Sequence, residues 1–141
     1  MARIKLTVPD HFVFSTNIKI RISDINYGGH VGNDTILSLI HEARVLFLKE
    51  YQLSELKFGD VSLIMSNVII EFKKELFYDD SIQIKIAVTE LTRVGFELFY
   101  LIMKDDETIV ALASTGMICY DYNAKKIAAF PAGIKTLFED L

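Results

Sequence analysis

Between Asp34 and Tyr51, apolar side chains fall at Ile36, Leu37, Leu39, Ile40, Ala43, Leu46, Phe47 and Leu48. This spacing predicts a helix that is apolar around much of its circumference. Such a helix is expected to be packed on more than one side. Asn33 or Asp34 is the expected N-cap, since a short polar side chain there can accept from the unpaired amides of the first turn. The flanking sequence supplies what surrounds it. Phe14 to Ile22 alternates apolar with polar residues, the period of a strand with one buried face. After a polar turn at Lys57-Phe58-Gly59-Asp60, strands are expected over Val61–Phe72, Ser81–Leu91, Gly95–Lys104 and Thr108–Tyr122, with a hairpin turn at Lys104–Glu107. Pro131 to Leu141 predicts a short closing helix. The layout is α+β, an antiparallel sheet of five to six strands wrapped around one long central helix.

A chain of 141 residues with 51% apolar content predicts a single domain over residues 1–141 with a sizeable core. The formal net charge is −4, and no basic cluster exceeds the pairs Lys73-Lys74 and Lys125-Lys126. Nucleic acid and membrane surfaces are therefore not expected partners. No signal-peptide pattern and no run of about eighteen apolar residues occurs, which predicts a cytoplasmic protein. The one cysteine, Cys119, lies between Ile118 and Tyr120 in an apolar strand and reads as a small buried hydrophobe rather than a nucleophile. His11, His30 and His41 lack chelate spacing, so no metal is expected. There is no Gly-x-Ser-x-Gly elbow and no phosphate-cradling loop.

Between the first strand and the helix runs Asp24-Ile25-Asn26-Tyr27-Gly28-Gly29-His30-Val31-Gly32-Asn33, a polar loop with a glycine hinge that delivers the chain into a helix N-terminus. Such a place can hold an anionic or polarised oxygen. Together with Glu42-Ala43-Arg44 on the helix and Tyr78-Asp79-Asp80-Ser81-Ile82 opening a later strand, this loop resembles the signature of the hot-dog-fold acyl-CoA thioesterases, in the branch related to 4-hydroxybenzoyl-CoA thioesterase. The pattern typical of that family is Asp-x-Asp-x-x-Gly-His-Val-Asn-Asn, and it aligns here without a gap. The resemblance extends over roughly residues 12 to 131. It implies the hot-dog fold, a homodimer or homotetramer, and an acyl-CoA or acyl-carrier thioester as substrate, the pantetheine arm entering at a subunit interface. No separate cofactor is implied, because coenzyme A is part of the substrate.

In that family the second Asp of the motif is the catalytic carboxylate, and a backbone N–H at the helix start polarises the thioester carbonyl. Here the carboxylate position is Asn26, and the amide donor falls at Asn33 or a near neighbour. A carboxamide has no titratable site near neutral pH and is a poor nucleophile, although it can orient water or bind a carbonyl. Gly32 replaces the first Asn of the His-Val-Asn-Asn run, and Asp79 replaces a frequent glycine. The catalytic candidates are thus Asn26, Asp24 and His30; the substrate-binding candidates are Tyr27, Gly29, Val31, Asn33 and Glu42. Asp24 is read as a substitute base or as a cap of its own turn. His30 is read as a donor to the thioester or as a structural residue. For Glu42 and Arg44 an ion pair or interface hydrogen bond is expected. Two further readings stand beside hydrolysis: a hot-dog module that binds a thioester without cleaving it, and a hot-dog dehydratase that would use His30.

Overall fold

The computed structural model describes residues 4–141. Strand β1 (Phe14–Lys19) leads through a 3-10 turn (Ile22–Asp24) into helix α1 (Asn33–Glu50). Strands β2 (Ser62–Phe72), β3 (Ser81–Leu91), β4 (Gly95–Lys104) and β5 (Ile109–Asp121) follow, then the two-residue β6 (Lys126–Ile127) and helix α2 (Ala132–Glu139). The strands form one antiparallel sheet in the order β1-β3-β4-β5-β2, with β6 paired to β5. A single long helix against a six-stranded antiparallel sheet is the hot-dog architecture.

Alternation in the strands sets which side chains meet the helix. Ile82, Ile84 and Ile86 of β3 and Leu98, Tyr100 and Ile102 of β4 are fully buried and share one core with Ile36, Leu39, Ile40, Ala43, Phe47 and Leu48 of α1. The register sets Tyr100 beside Ala113 and Ile102 beside Ala111, large against small, so that layer fills evenly. Alternate residues of the same strands, Ala87, Phe99, Leu101 and Leu112, form a second cluster on the opposite face, packed against Leu6 and Phe12. The sheet is therefore apolar on both faces around its middle. Helix α2 closes one end of the main core by setting Phe138 among Phe47, Phe58, Phe96 and Phe130, at ring-centroid distances of 5.1 to 5.9 Å.

Two local expectations are corrected. The first strand ends at Lys19 instead of reaching Ile22, because the Asp24 carboxylate accepts from the Arg21 amide at 2.8 Å and curls the chain into the 3-10 turn. The N-cap of α1 is Gly32, with no side-chain cap, and both Asn33 and Asp34 lie inside the helix. The Gly32 carbonyl already accepts from the amides of Thr35 and Ile36, at 3.1 and 3.2 Å, so the helix begins there.

Candidate active site

The loop from Asp24 to Asn33 is held by its own backbone. Ile25 and Val31 form an isolated antiparallel bridge, the Asn26 amide donates to His30 O at 3.0 Å, and the Gly29 amide donates to Asn26 O at 3.0 Å. The turn places Gly29 at φ +87°, a conformation that a residue with a Cβ rarely adopts. Asn26 Oδ1 accepts from the Gly28 amide at 2.9 Å, an Asx-type turn that sets the orientation of the carboxamide. The Val31 amide donates to Leu76 O at 2.9 Å, tying the loop to the segment between β2 and β3.

From this frame the candidate residues separate. His30, Val31 and Asn33 line one cavity of about 280 Å³ with Ile36, Lys74 and Leu76. The His30 Nδ1 lies 3.2 Å from Val31 O, and its Nε2 lies 4.0 Å from Glu75 Oε1. Asp24 and Glu42 line a different cavity, about 450 Å³, between α1 and β1. The Asp24 carboxylate is buried and engaged: besides the Arg21 amide it receives Arg21 Nε and Nη2, each at 3.4 Å. Tyr27 is fully exposed, and Gly29 faces open space. Asn26 is exposed, and its Nδ2 lies toward Gly32. The first amides of α1, at Asn33 and Asp34, have no carbonyl four residues back within the helix to receive them.

Arg44 does not pair with Glu42. Residues two apart on a helix point away from one another, and Glu42 is exposed while Arg44 is buried. Arg44 Nε donates to Glu55 Oε1 at 2.6 Å and its Nη1 to the Tyr100 hydroxyl at 3.1 Å; that hydroxyl lies 2.7 Å from Thr115 Oγ1. His41 Nε2 joins Glu55 at 3.1 Å. Burial alone would raise the Glu55 pKa, yet the Arg44 hydrogen bond and the charges of Arg44 and His41 outweigh it and hold the carboxyl below its usual range. Burial pushes the Tyr100 phenol up, so it serves as a neutral hydrogen-bonding group. This chain of polar groups had no sequence signal beyond the Arg on an apolar helix, because Glu55 sits in an aperiodic turn. Lys74 and Leu76 border the loop without a sequence signal of their own, since they lie in the aperiodic segment before Tyr78-Asp79-Asp80. Burial and the charge of Asp60 push the Cys119 thiol up to about 11, consistent with a buried, unreactive side chain. Among the described residues no group of three or more His, Cys, Asp or Glu is placed to hold a metal ion. Among the described residues no helix is long and apolar enough to cross a membrane.

A six-stranded antiparallel sheet, one long helix and a glycine-hinged loop ending at that helix's first amides define a fold of the hot-dog thioesterase class. The chain belongs to the thioesterase-like superfamily, whose family model matches residues 20–138. It is 31% identical over 119 residues to the 1,4-dihydroxy-2-naphthoyl-CoA hydrolase of Microcystis aeruginosa, covering 82% of this chain and 86% of that protein. Among solved structures, the 1,4-dihydroxy-2-naphthoyl-CoA thioesterase from Synechocystis superposes with a TM-score of 0.83 at 23% identity, covering 91% of this chain and 96% of that one. A Staphylococcus aureus protein solved in complex with CoA superposes with a TM-score of 0.84 at 15% identity, covering 96% of this chain and 87% of that one. These last two likenesses establish the fold.

Proposed function

We propose that the protein hydrolyses the thioester of an acyl-CoA, with an aryl acyl group as the first class to test and a fatty acyl group as the second. The observation that supports this most directly is the convergence of the Asn26 loop and the first amides of α1 beside a cavity lined by His30, Val31 and Asn33. Family membership and the aromatic substrate named for the Microcystis aeruginosa relative point the same way. In this reading the amide of Asn33 or its neighbour donates to the thioester oxygen as negative charge develops there, an effect that low dielectric and fixed orientation make strong. Asn26 orients the attacking water. His30 borders the carbonyl, and Asp24 holds the entry to the loop through Arg21. Val31, with the exposed Tyr27 and Gly29, borders the pantetheine arm. Glu42 borders the acyl group in the cavity against β1. Lys74 at the cavity offers a cation to the phosphates of coenzyme A. A homodimer completes the site, with the thioester lying between two copies.

A second reading is favoured by one observation, the carboxamide at position 26: a module that binds the thioester and leaves it intact. One experiment separates the two. The purified protein is offered benzoyl-, hydroxybenzoyl-, hydroxynaphthoyl- and fatty acyl-CoA esters, and the free thiol released is measured. Turnover of at least one ester supports hydrolysis. Saturable binding with no thiol released, and turnover appearing only in Asn26→Asp, would establish the binding module instead.

A further inference from the structure

Asn26 leaves hydrolysis without a carboxylate where the family pattern has one, and the buried Asp24, occupied by Arg21, does not reach the gap. We propose that Asp34 is the catalytic carboxylate, the general base that takes a proton from a water held between it and Asn26. This rests on the thioester-hydrolysis reading above and adds a residue to it.

The geometry is specific. A Cβ on Gly32 would meet Asp34 Oδ1 at 2.6 Å and Asn26 Nδ2 at 3.5 Å, so both side chains converge on the space that this glycine leaves empty. Gly32 lies at φ −75° and ψ 162°, extended backbone open to any residue. What position 32 requires is therefore the absence of a side chain, not conformational freedom. The direction of the carboxamide is set by the Gly28 amide on Oδ1, which leaves Nδ2 as the end facing Gly32. Asp34 is exposed and has no hydrogen-bond or ion-pair partner among the described residues. A free carboxylate and an N–H donor on either side of one gap form an acceptor and donor pair for a single water: the water donates to Asp34 and accepts from Asn26. His30 lies on the other flank of Asn26, with Nε2 3.7 Å from a Cβ placed on Gly28. The departures at 26 and 32 then read as one change. A carboxylate stands at position 34, and no side chain at position 32 comes between it and the water.

The chemistry balances with this one carboxylate. The water oxygen attacks the carbonyl carbon while its proton passes to Asp34, and the resulting oxyanion is held by the amides at the start of α1. Collapse breaks the C–S bond, and the departing thiolate takes the proton from Asp34, giving carboxylic acid, coenzyme A thiol and a regenerated carboxylate.

The test compares the wild type, Asp34→Asn and the double variant Asp34→Asn/Asn26→Asp on the best ester of the panel, with thermal melting of each. The expected result is a loss in kcat of about 100-fold or more in Asp34→Asn, with KM changed by less than about threefold and an unchanged melting temperature. The double variant recovers at least about tenfold over Asp34→Asn by restoring a carboxylate at position 26. Retention of more than about a third of wild-type kcat in Asp34→Asn overturns the assignment. A fall in kcat that tracks a fall in melting temperature and is not recovered in the double variant overturns it too, since that marks a structural role. If the wild type releases no thiol from any ester, the hydrolysis reading itself fails and the assignment falls with it, an outcome separate from the other two.

Discussion

At Gly32 the important quantity is a volume, that of one methyl group. Gly32→Ala places a Cβ 2.6 Å from Asp34 Oδ1, closer than a carbon and an oxygen tolerate, so the Asp34 carboxylate must swing away. The expected outcome is a loss of about tenfold or more in kcat, since misplacing a reacting group by about 1 Å costs up to about 100-fold. The helix N-cap bears only about 1 kcal/mol of the change, which thermal melting monitored by circular dichroism would check against the kinetics. Asp34 shows what sequence reading leaves out at this scale. A polar residue at the start of an apolar helix reads as a cap, and only the position of its oxygen relative to Gly32 and Asn26 shows that it turns elsewhere. Asp24 is the converse. Both readings of it were available in the sequence, and its hydrogen bonds to Arg21 display the turn-capping geometry.

The elements themselves were legible because their periods are clean: a helix whose apolar residues Ile36, Leu39, Ile40, Ala43 and Phe47 recur at helical spacing, and strands such as Ile82, Ile84 and Ile86 that alternate without interruption. Their ends were not, because they depend on single hydrogen bonds. The Asp24 carboxylate stops β1 short, and the Gly32 carbonyl starts α1 early. The same holds for the polar anchor of α1. Helix α1 buries Ile36, Leu39, Ile40, Ala43, Phe47 and Leu48 and leaves Asp34, Ser38, His41, Glu42 and Lys49 exposed, a wider polar face than its apolar run predicts, and the chain from Glu55 through Arg44 and Tyr100 to Thr115 ties its buried face to β4 and β5. Glu55→Ala leaves the buried Arg44 guanidinium with Tyr100 alone. The expected cost is about 3 kcal/mol, toward the low end for breaking a buried pair because solvent reaches Glu55. The pH dependence has a definite sign. The folded state lowers the Glu55 pKa, so the pair contributes fully above the unfolded value of about 4.3, and the contribution is lost as pH falls through the lower folded value. Urea unfolding of wild type and Glu55→Ala should therefore show a gap near pH 7 that narrows below about pH 4.

Over the whole molecule, the sheet has two edges, β1 and β2, and the longer is β2, eleven residues with Met65, Val68 and Phe72 exposed. An edge this long and apolar is a template for pairing with a second copy. The expected state in solution is a homodimer joined along β2, measured by light scattering on a sizing column. Met65→Lys/Val68→Lys should give monomer and lose thioester turnover with it, because the site is proposed to lie between copies. Sequence pattern had shown only that long edges exist, since it does not tell which strands are outermost when neighbours in the sheet are far apart in the chain. That separation bears on how the protein assembles in time. β3, β4 and β5 are joined in succession by tight turns, whereas β1 finds β3 through pairs such as Phe14 with Ile86, and β2 finds β5 through pairs such as Ser62 with Tyr120. Local pairings form early and distant ones late. The loop and α1 are strung between the two late-joining edges, so the site is expected to be completed last on folding and to open first under native conditions. In hydrogen exchange, the amides in the middle of β4 should persist longest, and the Val31 amide on Leu76 O should be lost well before the molecule unfolds.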